Sequence, residues 1–351
     1  MLNQIREEAG NENTSGLPPE ALEALGRELW DWTRGVDRAE QTLRIRASKS
    51  APGRTLLEAA GPNRPFLVDS LLAECAAEGH EVLTLFHPIL VEDDGKLFST
   101  IQIHLPELTS DEQKTLLLEA EKTLADVATA VADYHPLKRR MLEAAAGLKT
   151  LDHPDTALRD EAAAFLDWLA DDHFVFLGAR DYSFPQGKDG AFLAEEPVMV
   201  EGSNLGLLRD EVLDVLHRDN EPTILTPAIG AFLQEAQPLI IARSNLFSRV
   251  HRRVDCDYVG VKKYDEDGEV CGETRFIGLF TADAYDEMAR SIPLLRHRVD
   301  KVIEASGATP GGHSEKALAN ILETWPRDEL YQTDAATLTP MALGALHLIG
   351  R

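Results

Sequence analysis

Apolar residues recur along this chain with two periods, and the switches between those periods mark out its elements. The polar, Gly/Asn-rich start, residues 1–17, reads as disordered. Pro18 and Pro19 then open a helix on which Leu22, Leu25, Leu29 and Trp32 fall at spacings of three and four, a single apolar stripe. Residues 55–60 (TLLEAA) predict a short strand and Gly61-Pro62-Asn63 a turn. Pro65 suits the first turn of a helix, where its missing N–H costs nothing, and Phe66, Val68, Leu71, Leu72, Cys75 and Ala76 keep helical period until Gly79. Residues 81–91 (EVLTLFHPILV) predict the next strand and Asp93-Asp94-Gly95 a hairpin turn. In 98–105 (FSTIQIHL), Ile101, Ile103 and Leu105 alternate with Gln102 and His104. Ser110 and Gln113 match a capping box for a helix carrying Leu117, Ala120, Leu124, Val127 and Val131. The order strand, helix, strand, strand, helix is most of a ferredoxin-like βαββαβ unit, and no fourth strand follows it directly.

Residues 135–150 and 155–171 read as two helices, the second with Ala162, Phe165, Leu166 and Leu169 on its apolar face. A β-rich stretch follows. Strands are predicted at 173–184, 239–243, 258–264 and 270–281, with turns at 187–190 and at Asp265-Glu266-Asp267-Gly268, and with 185–237 irregular. These make an antiparallel sheet of about five strands. From Ala282 onward the pattern is all-helical, and it reaches Arg351 inside an apolar helical run, so the chain reads as a fragment. The whole is α+β. Residues 1–50 are a flexible N-terminus and helix, 51–134 the ferredoxin-like module, 135–172 a helical connector, 173–282 a β-rich module and 283–351 helices.

Composition narrows the partners. Of 351 residues, 35 are Lys or Arg and 60 Asp or Glu, a formal charge of −25. Such a surface repels phosphate backbones and anionic lipid, which argues against nucleic acid and membrane as partners. No apolar run approaches the roughly 18 residues of a membrane helix, and the first residues carry no apolar signal segment. Three cysteines, Cys75, Cys256 and Cys271, are too few and odd for a disulfide framework and fit a reducing cytoplasm.

Candidate chemistry is sparse. The chain has no G-x-G-x-x-G after a strand, no P-loop, no G-x-S-x-G and no H-E-x-x-H. Residues 307–312 (GATPGG) imitate a phosphate loop but lack its Lys-Ser/Thr pair, and read as a linker before a helix. His251, Cys256 and Cys271 lack the short paired spacing of a zinc site, so no metal is expected. His80, His87 and His104 read as hydrogen-bonded structural histidines. Asp171-Asp172-His173 reads as a helix end with solvated carboxylates, and 325–331 (WPRDELY) as a packing corner. The turn Gly61-Pro62-Asn63-Arg64-Pro65 stands apart. Amides at the helix start, with Arg64, could hold a carboxylate, and Asn63 and Asp69 could meet an ammonium group. The other reading is a tight turn with Arg64 solvated. Gly61, Asn63, Arg64 and Asp69 are therefore the candidate effector residues.

Six segments in order carry a resemblance: 63–70 (NRPFLVDS), 169–178 (LADDHFVFLG), 257–265 (DYVGVKKYD), 272–281 (GETRFIGLFT), 291–296 (SIPLLR) and 321–332 (ILETWPRDELYQ). Together they resemble the N-terminal part of the large NAD-specific glutamate dehydrogenases of bacteria, with Trp325 and Tyr331 where that family usually shows Phe. The resemblance implies an ACT-like module, then a β-rich PAS-like or ACT-like module, then helices. It implies a regulatory or oligomerisation segment of a cytoplasmic enzyme that converts L-glutamate, NAD and water to 2-oxoglutarate, ammonium and NADH. The implied partners are the catalytic part of the same polypeptide, other subunits of a homo-oligomer and an amino-acid effector. Family members are several times longer, and their nucleotide-binding glycines and catalytic lysine have no counterpart here. No catalytic residue carries over, and NAD is expected in the parent enzyme, with no cofactor in this chain. The alternatives are a ligand-free scaffold for subunit assembly and a free-standing small-molecule sensor.

Overall fold

The computed structural model describes residues 16–188, 190–194, 197–213 and 237–349. Residues 1–15 of the disorder expected at 1–17, residues 189, 195–196 and 214–236 of the stretch expected to be irregular at 185–237, and the chain end at Arg351 lie outside them. The chain divides into two compact units, residues 1–131 with 247–254, and residues 132–246 with 255–351.

In the first unit, helix α1 (Pro19–Thr33) starts as the pattern predicts, with Pro18 as its N-cap and Leu25 and Leu29 fully buried. Strands β1 (Thr42–Ala47), β2 (Arg54–Pro62), β3 (Thr84–Phe86), β4 (Ile89–Val91) and β5 (Leu97–Pro106) form one antiparallel sheet. Its order is β1-β2-β5-β3, with β4 also on β5. Strand β1 corrects the reading of residues 1–50 as flexible chain plus one helix. In this strand Arg44 lies directly opposite the buried Glu58 and Arg46 opposite Leu56. The strand pairs antiparallel with β2 along the edge opposite β5. The single strand expected at 81–91 is two short strands, because Pro88 cannot donate to the ladder.

Helices α2 (Leu67–Ala77) and α3 (Ser110–Ala132) bury Leu71 and Cys75, and Leu116, Ala120, Leu124 and Val127. Helix α2 begins two residues after Pro65, because Phe66 adopts a left-handed φ of 69°. The capping box of α3 sits one residue earlier than expected. The Thr109 amide donates to Glu112 (2.7 Å) and the Glu112 amide to Thr109 Oγ1 (3.4 Å), while Gln113 donates to the Leu108 carbonyl.

In the second unit, α4 (Tyr134–Thr150) and α5 (Thr156–Trp168) are core elements, which corrects their reading as a connector. Leu137, Met141, Ala145 and Leu148 of α4 are buried in one cluster with Ala162, Phe165 and Leu166 of α5. Among the described residues the sheet has six strands, in the order β7-β6-β11-β10-β9, with β8 also on β6. These are β6 (Phe174–Ser183), β7 (Val198–Met199), β8 (Leu205–Gly206), β9 (Leu239–Phe247), β10 (Asp255–Tyr264) and β11 (Val270–Phe280). The two short strands β7 and β8 fall in the stretch expected to be irregular. One sheet face, with Phe174, Phe176, Val259, Val261, Phe276 and Phe280, joins that same apolar cluster. Helices α6 (Ala282–Asp286), α7 (Leu295–Ala305), α8 (His313–Glu323), α9 (Arg327–Gln332) and α10 (Ala335–Ile349) complete it. The 325–331 stretch is the packing corner its sequence suggests: Tyr331 stacks on Phe280 at 4.4 Å and donates to the Ala284 carbonyl.

Candidate functional site

Strand β2 delivers the candidate turn. A Cβ on Gly61 would lie 2.6 Å from both the Glu40 carbonyl and Gln41 Oε1, so only glycine allows this approach. Gln41 donates to the Pro62 carbonyl at 2.6 Å, and the Asn63 amide donates to the Leu97 carbonyl at 3.0 Å. The turn is thus pinned from both sides. After Phe66 the chain enters α2, whose N-terminus no side chain caps. Arg64 is partly exposed. The structure places Gly61, Asn63 and Arg64 on one turn ahead of the free amides of α2. Asp69 is engaged differently from expectation: His251 Nδ1 lies 3.1 Å from its carboxylate. The His251 amide donates to Ser70 Oγ (2.8 Å), and its ring lies 5.2 Å from Phe66.

His251 belongs to residues 247–254, a segment that sequence spacing gives no reason to join to residues 180 positions away. Arg253 donates to Glu74 Oε2 at 2.5 Å, Thr123 donates to the same oxygen at 2.5 Å, and Arg249 pairs with Glu119 at 2.6 Å. Glu74 is fully buried, so these contacts neutralise a carboxylate that α2 carries into its packed side. Asp126 nearby has its carboxyl raised by burial against the pull of Arg249.

A second polar network runs across the β1–β2–β5 face under α1. Gln102 donates to Glu58 Oε1 (2.7 Å), and Arg44 and Arg46 donate to Glu58 Oε2 (2.5 and 2.8 Å). His104 Nε2 lies 2.9 Å from Gln102 Oε1 and Arg54 lies 3.5 Å from His104 Nδ1, which assigns the proton to Nε2. Burial, then the Arg54 charge, push His104 down to about 4. Burial opposes the ionisation of Glu58, but its bonds from Arg46 and Arg44 hold it below the usual carboxylate range.

The remaining candidates are structural. His87 Nε2 lies 2.7 Å from Ser99 Oγ, and burial lowers its pKa. His173 stacks on Trp168 at 4.2 Å with Nδ1 2.9 Å from the Trp168 carbonyl, while Asp171 and Asp172 are exposed. Burial pushes the Cys75 and Cys256 thiols up to about 12, which leaves them unreactive at neutral pH. In 307–312, Gly307 and Gly311 take left-handed turns before α8, and Glu315 caps the Gly311 amide. Among the described residues, no group of three or more His, Cys, Asp or Glu is placed to hold a metal, and no helix is long and apolar enough to cross a membrane.

Comparison with known proteins adds identity to this geometry. Residues 1–126 match the family model "Glutamate dehydrogenase, ACT1 domain", and residues 292–351 match "Glutamate dehydrogenase, helical motif 1". The chain is 32% identical over 320 residues to an NAD-specific glutamate dehydrogenase of Pseudomonas aeruginosa and 30% identical over 318 residues to one of Halomonas elongata. Each alignment covers 84% of this chain and 19% of the relative. A Mycobacterium tuberculosis protein of the same name is 28% identical over 236 residues, covering 65% of this chain and 13% of that protein. The chain thus spans about a fifth of the length of the first two relatives. With an ACT1 domain over its first unit and a glutamate dehydrogenase helical motif over its last helices, the chain belongs to the NAD-specific glutamate dehydrogenase family, as an N-terminal region of it.

Proposed function

We propose that this chain is the regulatory and subunit-contacting part of an enzyme that oxidises L-glutamate with NAD to 2-oxoglutarate and ammonium. The observation that carries this reading is the match along 84% of the chain to proteins named for that activity, with an ACT1 domain at its start. Hydride transfer between the substrate α-carbon and the nicotinamide belongs, on this reading, to the rest of the polypeptide. We read the first unit as a ferredoxin-like, ACT-like module with its fourth strand supplied by β1. The β2–α2–β3/β4–β5–α3 order and the β2–β5 pairing support that reading. The second sheet is the PAS-like or ACT-like module.

The effector of this proposal is an amino acid. Its carboxylate meets the uncapped amides of α2 and Arg64, and its ammonium group meets Asn63 and the Asp69 carboxylate that His251 now occupies. An anion at an exposed helix start gains roughly 0.3–1 kcal/mol from the dipole. A charge-assisted bond from Arg64 contributes about 1.5–3 kcal/mol, ten-fold or more in affinity. Calorimetric titration of the chain with a panel of L-amino acids tests this. Arg64→Ala is expected to weaken binding at least ten-fold without changing the unfolding midpoint. If no amino acid binds the wild type at millimolar concentration, sensing at this turn is wrong and the first unit serves assembly alone.

A further inference from the structure

Residues 247–254 run between β9 and β10 along the chain, yet they pack in the first unit. The Ser248 amide closes the neck of this loop by donating to the Val254 carbonyl at 2.8 Å. Charge anchors its base, with Arg253 on the fully buried Glu74 and Arg249 on Glu119. Taking Arg253 off a buried carboxylate is costly, so this part of the loop stays docked. Arg252 has contacts of its own.

The tip is held differently. The Arg252 amide donates to the Val250 carbonyl at 2.8 Å across His251, whose φ is 64°. A three-residue turn with a positive central φ is the strained form of the γ-turn. Three contacts hold it: the His251 amide on Ser70 Oγ (2.8 Å), Nδ1 on Asp69 (3.1 Å) and the ring beside Phe66 (5.2 Å). Phe66 is itself left-handed, at φ 69°. Among the described residues four non-glycine residues take a left-handed φ, Phe66, Asp172, His251 and Leu294, and two of them face each other here. The strained turn at Leu294 is sealed, because that residue is 5% exposed and Glu161 accepts its amide at 2.9 Å. By contrast, the His251 side chain is 33% exposed and that of Asp69 56%, so a solute reaches both from water. A strained turn persists only while its contacts outweigh the strain, and losing one of three tips that balance.

We propose that His251 is a displaceable latch on the effector turn, an inference that rests on the amino-acid reading of that turn. The effector's ammonium group and the His251 ring compete for the Asp69 carboxylate. An ammonium group presents three donors and a full charge, whereas the ring presents Nδ1 alone to Asp69. When the ammonium group takes Asp69, the strained tip leaves Ser70 and Phe66, while Arg249 and Arg253 keep the base in place. Occupancy at the turn thereby changes the loop that joins β9 to β10. The competition is reciprocal: the ligand loosens the latch, and the latch weakens the ligand by the same factor.

The test uses the 351-residue chain. Glycine, L-serine, L-leucine and L-phenylalanine are the probes, and acetate is the control that lacks an ammonium group. His251→Gly removes the competing ring and suits the left-handed position. It is expected to tighten amino-acid binding about three- to ten-fold, the range of one net hydrogen bond, whereas Arg64→Ala weakens it. In the wild type, amide hydrogen exchange across residues 248–252 should speed up on adding an amino acid that binds, and stay unchanged with acetate. That measurement needs no variant, so it decides the matter if His251→Gly does not fold. Arg64-dependent binding that is unchanged or weaker in folded His251→Gly overturns the latch and leaves the amino-acid reading of the turn standing. So does exchange that stays constant or slows with the bound amino acid, or that speeds up equally with acetate. No binding of any probe to the wild type at millimolar concentration overturns both.

Discussion

Glu58 and His104 show how much a single buried position decides. Both sit on a strand face that alternation alone marks as polar, yet both are fully buried. They are tolerated there because each is a link in one chain of hydrogen bonds, from Arg54 through His104 and Gln102 to Glu58 and its two arginines. The sign of the pH effect follows. His104 is held neutral in the fold down to about 4, whereas in the unfolded chain a histidine takes its proton near pH ~6.5. The stability His104 contributes is present above ~6.5 and lost as pH falls towards 4, at no more than about 1.4 kcal/mol per pH unit. Below that, Glu58 adds its own loss, because its depressed pKa means its contribution is present above the ordinary carboxylate range and disappears as the fold takes up the proton. The urea midpoint is therefore expected to drop between pH 7 and 5, and His104→Gln to flatten that drop. An unchanged slope in His104→Gln would assign the acid sensitivity to another group. The histidine was visible in the sequence, but its direction of shift was not, since burial and the Arg54 charge come from other elements.

At the scale of elements, the segment 247–254 completes the first unit from far along the chain. Arg253 neutralises the buried Glu74, whose second oxygen has no partner. Removing one partner of a buried pair commonly costs about 3–5 kcal/mol, because the other charge stays buried. Arg253 is itself about a fifth exposed, and Arg249 stands 3.8 Å from the same oxygen, so Arg253→Ala is expected to cost less, about 2–3 kcal/mol. Glu74→Gln in the same chain should restore most of that loss in chemical denaturation. A loss that Glu74→Gln does not rescue would mean the arginine acts through packing. Strand β1 teaches a similar lesson. Its two arginines supply, through pairing with β2, the charge that lets Glu58 be buried.

At the scale of the molecule, the boundary between units falls at the end of α3, and the two helices that follow are structural members of the second unit. Proteolytic sensitivity should follow burial and not chain position. Limited proteolysis is expected to spare residues 134–150, whose apolar side is buried, and to cut first within 185–203, where β7 is two residues long and the backbone turns left-handed at Gly190 and Gly202. Early cleavage inside α4 would show that this helix detaches from the core as a linker does.

The periodicity of Leu22–Leu29, the alternation of Ile101–Leu105 and the two D-G turns were enough to place α1, β5 and both hairpins, because each depends on neighbours within a few residues. The six recognisable segments were enough to assign the family. Tertiary structure decided the rest. It placed β1 beside β2, set residues 247–254 against Asp69, Ser70 and Glu74, and turned an expected connector into core. It also put Arg180 and Arg275 opposite each other across β6 and β11. Each of these depends on which strand or helix lies beside which. Local propensity and spacing carry no record of that, because the partner charges that make a buried Glu or Arg tolerable are supplied from tens to nearly two hundred residues away.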